Sequence, residues 1–199
     1  MTDKEIIYNR YQELLLHKDF ELTVEHLQKI HAYLFAGFIP NSGQFRTYNI
    51  TKKEEILYGN SVIYADYHNI NAYLKYDITY EKQIDYHNIS YELLIKRISD
   101  FLLRIWQAHP FEDGNTRTTI TFVLKFLNTI GYDIDSEYLR MNIRQLRNSL
   151  VIRLYTEKNT PNNISYLPLE DFLRMLVKEK SQQNKIKKTL KIRSLRSYF

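Results

Sequence analysis

Residues Ile89 to Gly131 read ISYELLIKRISDFLLRIWQAHPFEDGNTRTTITFVLKFLNTIG, and this stretch predicts two helices joined by a short loop. Before the loop, apolar side chains recur every three or four residues, as on one helix face. They are Leu94, Ile98, Phe101, Leu102 and Ile105. After the loop the same spacing returns at Ile120, Val123, Leu124 and Leu127, and Gly131 is placed to end the second helix. Two such helices must pack against further helices, so we predict a mainly α-helical fold.

Further helices are predicted on both sides of this pair. Thr2 and Glu5 have the spacing of a capping box at the start of a first helix, and Thr23 is the expected N-cap of a second. Two amphipathic segments follow the pair, at 146–155 and 169–177. We therefore predict one domain of about seven or eight helices over residues 1–177, without an internal repeat.

The helical period is lost between Pro40 and Tyr64. Within this segment Tyr58 to Ser61 is a turn-like sequence between two short β-prone runs. The pattern predicts a small β-hairpin between Gly43 and Tyr64.

Composition excludes several classes of site. The 199 residues contain no cysteine, which removes disulfides, thiolate metal sites and cysteine nucleophiles. Neither a signal-peptide pattern nor a membrane-length apolar run is present, so we predict a soluble, cytoplasmic protein.

The net charge of +5 is concentrated at the C-terminus. Residues 178–199 hold eight Lys and Arg against one Glu, which leaves 20 basic and 22 acidic groups, net −2, in the rest of the chain. We interpret 178–199 as a solvated basic helical tail in preference to a nucleic-acid-binding element. A nucleic-acid-binding helical domain is the rival hypothesis; it would explain the tail but not the loop between the two helices.

That loop gathers residues suited to phosphate chemistry. Gly114 to Arg117 lie where a helix begins, so unpaired N–H groups and a guanidinium would face an anion there. Asp113 offers a single hard oxygen of the kind with which Mg2+ is held jointly with phosphates, and His109, as a histidine, has by default a pKa near neutrality and could accept a proton. The alternative from the residues alone is an ordinary helix-ending His-Pro and a polar turn, with Phe111 as a core anchor.

Residues 109–117, HPFEDGNTR, resemble the core motif of the Fic (filamentation induced by cAMP) family. Residues 30–50, IHAYLFAGFIPNSGQFRTYNI, are similar to a second signature of that family. Residues 55–66, EILYGNSVIYAD, stand where the family carries a flap hairpin, so the resemblance spans about 22–138.

The resemblance implies that His109 deprotonates a target hydroxyl, Asp113 holds Mg2+ and Phe111 is structural. It also implies that Gly114, Asn115, Thr116 and Arg117 contact the phosphates of ATP. The product would be AMP on a Ser, Thr or Tyr of a target protein, made by a cytoplasmic toxin-like enzyme or one delivered to a host cytoplasm. The flap would dock the target by strand addition; it comprises Ile56, Leu57, Tyr58, Gly59, Asn60, Ser61, Val62, Ile63 and Tyr64.

Two positions depart from the family pattern. Thr116 stands where most members have glycine, and Ile120 stands where a second arginine would contact the γ-phosphate. Transfer of another phosphate-linked group, or direct phosphorylation, is therefore the alternative reaction. Thr51 to Glu55 matches an inhibitory-helix pattern by coincidence, and we expect no internal inhibitor. An antitoxin-like regulator is retained as a partner that the resemblance suggests.

Overall fold

The computed structural model describes residues 2–17, 19–86, 88–155 and 166–178. Within these ranges the chain forms seven α-helices and two short strands. The helices are Asp3–Leu16 (α1), Val24–Phe35 (α2), Ile70–Lys82 (α3), Tyr91–Ala108 (α4), Asn115–Thr129 (α5), Ser136–Leu154 (α6) and Leu169–Leu176 (α7). The strands are Asp133–Ile134 (β1) and Val177–Lys178 (β2). The mainly α-helical prediction is confirmed.

Helices α4 and α5 form the centre of the fold. Ile98, Leu102, Val123 and Leu127 are completely buried, as their helical spacing predicted. Helix α2 packs on α5 on one side, while α7 packs on α4 and α6 on the other. The loop between α4 and α5 is therefore held by the two most buried elements.

The predicted helix starts are present. Thr2 and Glu5 form the reciprocal bonds of a capping box at α1, and the Thr23 side chain accepts the His26 N–H at the start of α2. Helix α1 packs on α2 and α5, and the buried Lys125 ammonium donates to the Leu14 and His17 carbonyls at its C-terminal end. The position of α1 is thus fixed against α5.

The prediction of a β-hairpin between Gly43 and Tyr64 is wrong, because this segment, which the structure describes throughout, contains no β-strand. The strands β1 and β2 instead pair antiparallel elsewhere, with Asp133 opposite Lys178. Between Gly43 and Tyr64 the Glu54 N–H donates to the Asn60 carbonyl and the Gly59 N–H donates to the Glu54 carbonyl, around a 3-10 turn at Glu55–Leu57. At the next pairing position the Lys52 N–H bonds to the Ser61 hydroxyl, not to a carbonyl, so no ladder extends from the turn. The flap is an irregular loop.

The predicted basic tail, 178–199, lies outside the described residues except for Lys178, which ends β2. No helix in the described part of the chain has the length and apolar character that crossing a membrane requires.

Candidate active site

The loop from His109 to Gly114 turns sharply at both ends. His109 caps α4 in the left-handed region with φ 44°, and its N–H donates to Trp106 O at 3.0 Å. Gly114 has φ 72° and precedes the first residue of α5. A Cβ on Gly114 would lie 2.4 Å from Cε2 of Phe35, so only glycine fits this close approach to α2. The two turns direct the loop into the space between α1, α5 and α6.

The Asn115 side chain holds this loop closed. Its Oδ1 accepts the Phe111 N–H at 2.9 Å and its Nδ2 donates to the Phe111 carbonyl at 2.7 Å. Asn115 was predicted to contact phosphates, but the oxygen and nitrogen of its side-chain amide already bond the Phe111 backbone. Helix α5 begins at Asn115 with no side-chain cap, so the positive end of its dipole faces the cavity. At this helix start the backbone N–H groups, and not the Asn115 side chain, are therefore the groups available to an anion.

His109 is positioned as a proton acceptor. Its side chain is buried, and Nδ1 lies 3.2 Å from the Trp106 carbonyl, which can only accept. Nδ1 therefore carries the proton and Nε2 carries the lone pair. The buried Nε2 has no hydrogen-bond partner among the described residues, and His109 lines the cavity. Burial first, then the positive charge of Lys52, lowers the pKa of His109 well below its usual range.

Asp113 is held through its main chain and offers its carboxylate. The carboxylate Oδ1 accepts the Gly114 N–H at 2.7 Å, and the residue is exposed at the cavity. Its carbonyl lies 3.1 Å from Nε2 of His31. No group of three or more His, Cys, Asp or Glu in the described ranges could hold a metal ion. Asp113 presents one carboxylate, a hard oxygen ligand, to the cavity.

His31 is a positioning residue that the sequence did not single out. The Gly43 N–H donates to its Nδ1 at 2.7 Å, so Nε2 bears the proton given to the Asp113 carbonyl. Its ring stacks on Phe111 with centroids 3.8 Å apart. Burial lowers the pKa of His31 to about 4, which keeps the ring neutral. Its helical spacing in α2 had indicated only a core position.

Arg46 is a second residue whose role sequence reasoning missed. It is buried, and its guanidinium donates to the carbonyls of His109 at 2.8 Å, Tyr48 at 2.7 Å and Ala65 at 2.5 Å. Its own N–H donates to the Pro110 carbonyl at 2.8 Å. Arg46 therefore joins the segment before the flap, the end of the flap and the loop between α4 and α5. An arginine in a polar loop carries no sequence signal for such burial.

The residues after Asn115 have separate roles. The Thr116 hydroxyl accepts the Trp106 indole N–H at 2.9 Å, and its backbone is helical, so a β-branched side chain causes no strain. Arg117 lines the cavity with its guanidinium 4.7 Å from the Phe35 ring centre. Ile120 is 1% exposed and also lines the cavity. Position 120, where the family pattern has a second arginine, therefore carries no charge in this protein.

The cavity beside the loop has a volume of about 820 Å3. Its walls come from α1, α5 and α6, with Leu34 of α2 and Lys52 of the segment before the flap. Arg147 of α6 lines it and donates to the buried Glu54 at 2.6 Å. The cavity thus has one cationic region next to His109, since Lys52 and Arg147 both lower the pKa of that histidine.

The flap covers His109 from the other side. The Tyr64 ring centre lies 4.1 Å from that of His109, and the Tyr64 hydroxyl donates to Glu54 at 3.1 Å. Val62 and Tyr64 are buried, whereas Ile63 between them is 79% exposed. This alternation is that of an extended segment with one free face. Of the other predicted docking residues, Leu57 is buried and Tyr58 is exposed.

The comparisons with known proteins agree on one family. The Fic/DOC family model matches residues 21–127. The fold is similar to that of BepC, a VirB-translocated effector protein of Bartonella tribocorum solved with bound AMPPNP, with a TM-score of 0.69 and 16% identity. That match covers 88% of this chain and 84% of BepC.

The fold is also similar to the N-terminal Fic domain of a VirB-translocated Bep effector protein of Bartonella quintana, solved with bound ADP. Here the TM-score is 0.64 and the identity 16%, over 90% of this chain and 85% of the other. No curated protein matches the chain.

Proposed function

Since the chain belongs to the Fic/DOC family, we propose that it transfers a nucleoside monophosphate, AMP from ATP, to a hydroxyl side chain of a target protein. The observation that carries this proposal is the buried Nε2 of His109, which has a lone pair, no partner among the described residues and a place in the cavity wall. The uncapped start of α5 adjoins it. A proton acceptor next to an anion site suits attack of a hydroxyl on a phosphate.

In the proposed reaction His109 Nε2 takes the proton of the target hydroxyl. The hydroxyl oxygen forms a bond to the α-phosphorus, the bond from that phosphorus to the bridging oxygen of the β-phosphate breaks, and pyrophosphate leaves. The N–H groups at the start of α5 and the Arg117 guanidinium stabilise the charge that develops on the phosphate oxygens. Mg2+, held by Asp113 together with the phosphates, would neutralise charge on the leaving group.

The neutral state of His109 supports its assignment as the base. Its lowered pKa leaves Nε2 unprotonated at neutral pH. Arg46 and Trp106 fix the ring from the backbone side, because Arg46 bonds the His109 carbonyl and the Trp106 carbonyl receives Nδ1–H. A ring held in one orientation and one tautomer does not have to reorient before it accepts a proton.

The flap is the proposed docking site for the target. Ile63 is exposed between two buried neighbours, and the Gln107 amide donates to its carbonyl at 3.3 Å, which holds this extended segment beside the end of α4. An extended target chain added along that segment would bring its hydroxyl towards His109. The bound AMPPNP and ADP of the two similar structures support nucleotide as the donor.

The test uses ATP labelled at either the α- or the γ-phosphate, incubated with the protein and a lysate. We expect label on protein from the α-phosphate only, and none with His109→Ala. In that variant nucleotide affinity should be nearly unchanged, because the base acts on the incoming hydroxyl. The matched variant Asp113→Ala should instead weaken binding of the Mg2+-nucleotide complex. Undiminished transfer by His109→Ala would refute the assignment.

Ile120 favours a second candidate reaction. An apolar, buried side chain at this position cannot pair with a γ-phosphate. Transfer of a different phosphate-linked group from a nucleoside diphosphate donor would not need that contact. Protein label from the γ-phosphate would indicate phosphorylation, and no label from either position would favour the diphosphate-linked donor.

A further inference from the structure

The His109 ring needs more than one hydrogen bond to keep its orientation. The bond from Nδ1 to the Trp106 carbonyl is 3.2 Å long, at the long end of the range for an N–H donor. The torsion that turns an imidazole ring is broad and roughly two-fold, so this bond alone does not prevent a flip. A flip would exchange Nε2 with the Cε1 carbon and remove the lone pair from the cavity wall. Neighbouring side chains therefore have to hold the ring.

Two aromatic side chains pack against the His109 ring. The Tyr64 ring centre lies 4.1 Å away at an interplanar angle of 39°, and the Trp106 ring centre lies 5.2 Å away at 86°. Both side chains are buried, and their two rings contact each other edge to face with centres 5.9 Å apart. The orientation of His109 thus depends on where Tyr64 and Trp106 are held.

Each of these two rings is bonded at its polar end. The Trp106 indole N–H donates to the Thr116 hydroxyl at 2.9 Å, so this bond joins the two central helices α4 and α5. Tyr64 instead belongs to the flap, an irregular loop, and its hydroxyl donates to Oε1 of Glu54 at 3.1 Å. The position of the Tyr64 ring is therefore fixed by a side-chain bond and not by a helix.

Glu54 is itself held at both its side chain and its backbone. The side chain is buried, and Arg147 of α6 donates to the same Oε1 at 2.6 Å. The Glu54 carbonyl accepts the N–H groups of Leu57 and Gly59, and the Glu54 N–H donates to Asn60. A buried carboxylate without such partners would be strongly destabilising. Glu54 is thus a fixed acceptor for the Tyr64 hydroxyl.

We propose that Glu54 is a positioning residue for the base: by holding the Tyr64 hydroxyl it keeps the Tyr64 ring against His109, with Nε2 directed at the cavity. This inference rests on the proposed function, in which Nε2 takes the proton of the target hydroxyl. The ring position also matters once that proton is taken, because an aromatic face within about 6 Å attracts a cation such as the imidazolium. Arg147 and Glu54 thus connect α6 to the base through Tyr64.

Nitrogen NMR of protein with 15N-labelled histidine tests this without any substrate, since the two ring-nitrogen shifts report the tautomer. The His109 signals are those missing from His109→Gln. In wild type we expect one tautomer, with the proton on Nδ1. Tyr64→Phe removes only the hydroxyl and Glu54→Ala removes its acceptor, so both should move the two shifts towards the average of two tautomers. Glu54→Gln keeps an oxygen acceptor and should retain the wild-type shifts.

Glu55→Ala is the matched control. The Glu55 side chain is 88% exposed and pairs with Arg144 of α6 at 2.7 Å. This pair ties the same turn to α6, whereas the Tyr64 hydroxyl bonds Glu54. Glu55→Ala should therefore leave the His109 nitrogen shifts as in wild type. Equal changes in Glu55→Ala and Glu54→Ala would assign the effect to general loosening of the turn and overturn the proposal.

The second readout is transfer of label from α-labelled ATP to protein in a lysate. Tyr64→Phe should lower the apparent maximal rate about fivefold, the effect of one hydrogen bond, and leave the apparent KM for ATP unchanged. Unchanged nitrogen shifts, or an unchanged maximal rate, in Tyr64→Phe and Glu54→Ala would overturn the proposal. If wild type transfers no label, the proposed function fails, while unchanged shifts in these variants would separately refute the hold on His109. Thermal unfolding verifies that each variant is folded.

Discussion

Replacing Gly114 with alanine should destabilise the protein much more than the same change at another glycine of similar backbone conformation. At Gly114 the φ angle is 72°, and an added Cβ would lie 2.4 Å from Cε2 and 2.6 Å from Cζ of Phe35. Phe35 is 1% exposed and has the Arg117 guanidinium 4.7 Å from its ring centre. The ring therefore cannot move aside without disturbing the site.

Two effects add at this position. Alanine in the left-handed region costs roughly 1–2 kcal/mol. Overpacking of a buried contact costs about 1–3 kcal/mol more. Gly114→Ala should thus lower the free energy of unfolding by about 2–5 kcal/mol.

Gly59→Ala is the matched control. Gly59 has φ 90°, and nothing lies within 4 Å of the Cβ that would be added. Only the backbone term applies there, so the expected loss is roughly 1–2 kcal/mol. Urea unfolding of the wild type and both variants gives the two values directly.

A second substitution tests the cause. Phe35→Leu removes the ring atoms nearest the added Cβ, so Gly114→Ala should be less destabilising in that background than in wild type. The reasoning is refuted if Gly114→Ala and Gly59→Ala cost the same, or if Phe35→Leu leaves the cost of Gly114→Ala unchanged.

Three further predictions concern the titration of His109 and His31 and the bonds of buried Arg46, which we call the Arg46 clamp. The pH profile of kcat/KM should reach its plateau below pH 6.5, because the pKa of His109 is lowered and the neutral ring is the base; a midpoint above 6.5 would contradict this. The pKa of His31 is about 4 in the folded state and 6.5 in the unfolded state. Between these two pH values the unfolded state binds more protons than the folded state, so the free energy of unfolding should rise by about 3 kcal/mol from pH 4 to 6.5. His31→Gln should flatten that rise in unfolding experiments, and an equally steep rise would assign it to other groups. Arg46→Lys should lower the free energy of unfolding by about 3 kcal/mol, since one ammonium cannot serve the carbonyls that the guanidinium bonds; a loss under about 1 kcal/mol would show that the clamp is dispensable.

The sequence alone was enough for the helical frame. Apolar spacing placed the helices on either side of the loop, and Thr2 with Glu5 and Thr23 placed two helix starts, because these signals lie within a few residues of one another. The motif from His109 to Arg117 was predicted as one site on the same basis: its members are adjacent in the chain.

The flap could not be predicted correctly from its local pattern. The β-prone runs around Tyr58 indicated strands, but the chain there is held by contacts from distant elements. The Gln107 amide donates to the Ile63 carbonyl, and Arg147 of α6 bonds Glu54. The first bond occupies a backbone carbonyl that a strand ladder would use, the second fixes the start of the turn, and no short window of sequence contains both partners of either bond.

What the sequence by itself determined was the helical fold and the loop between α4 and α5, with His109 as its candidate proton acceptor, since each depends on neighbouring residues. Only the tertiary structure decided that the Asn115 amide closes the loop, that Arg46 holds it from 63 residues away and that Ile120 faces a cavity shared with Tyr8 and Tyr11. The physical reason is that burial and tautomer depend on which carbonyls and rings surround a side chain. Those neighbours are brought together by packing of α1, α5 and α6, not by proximity in the chain.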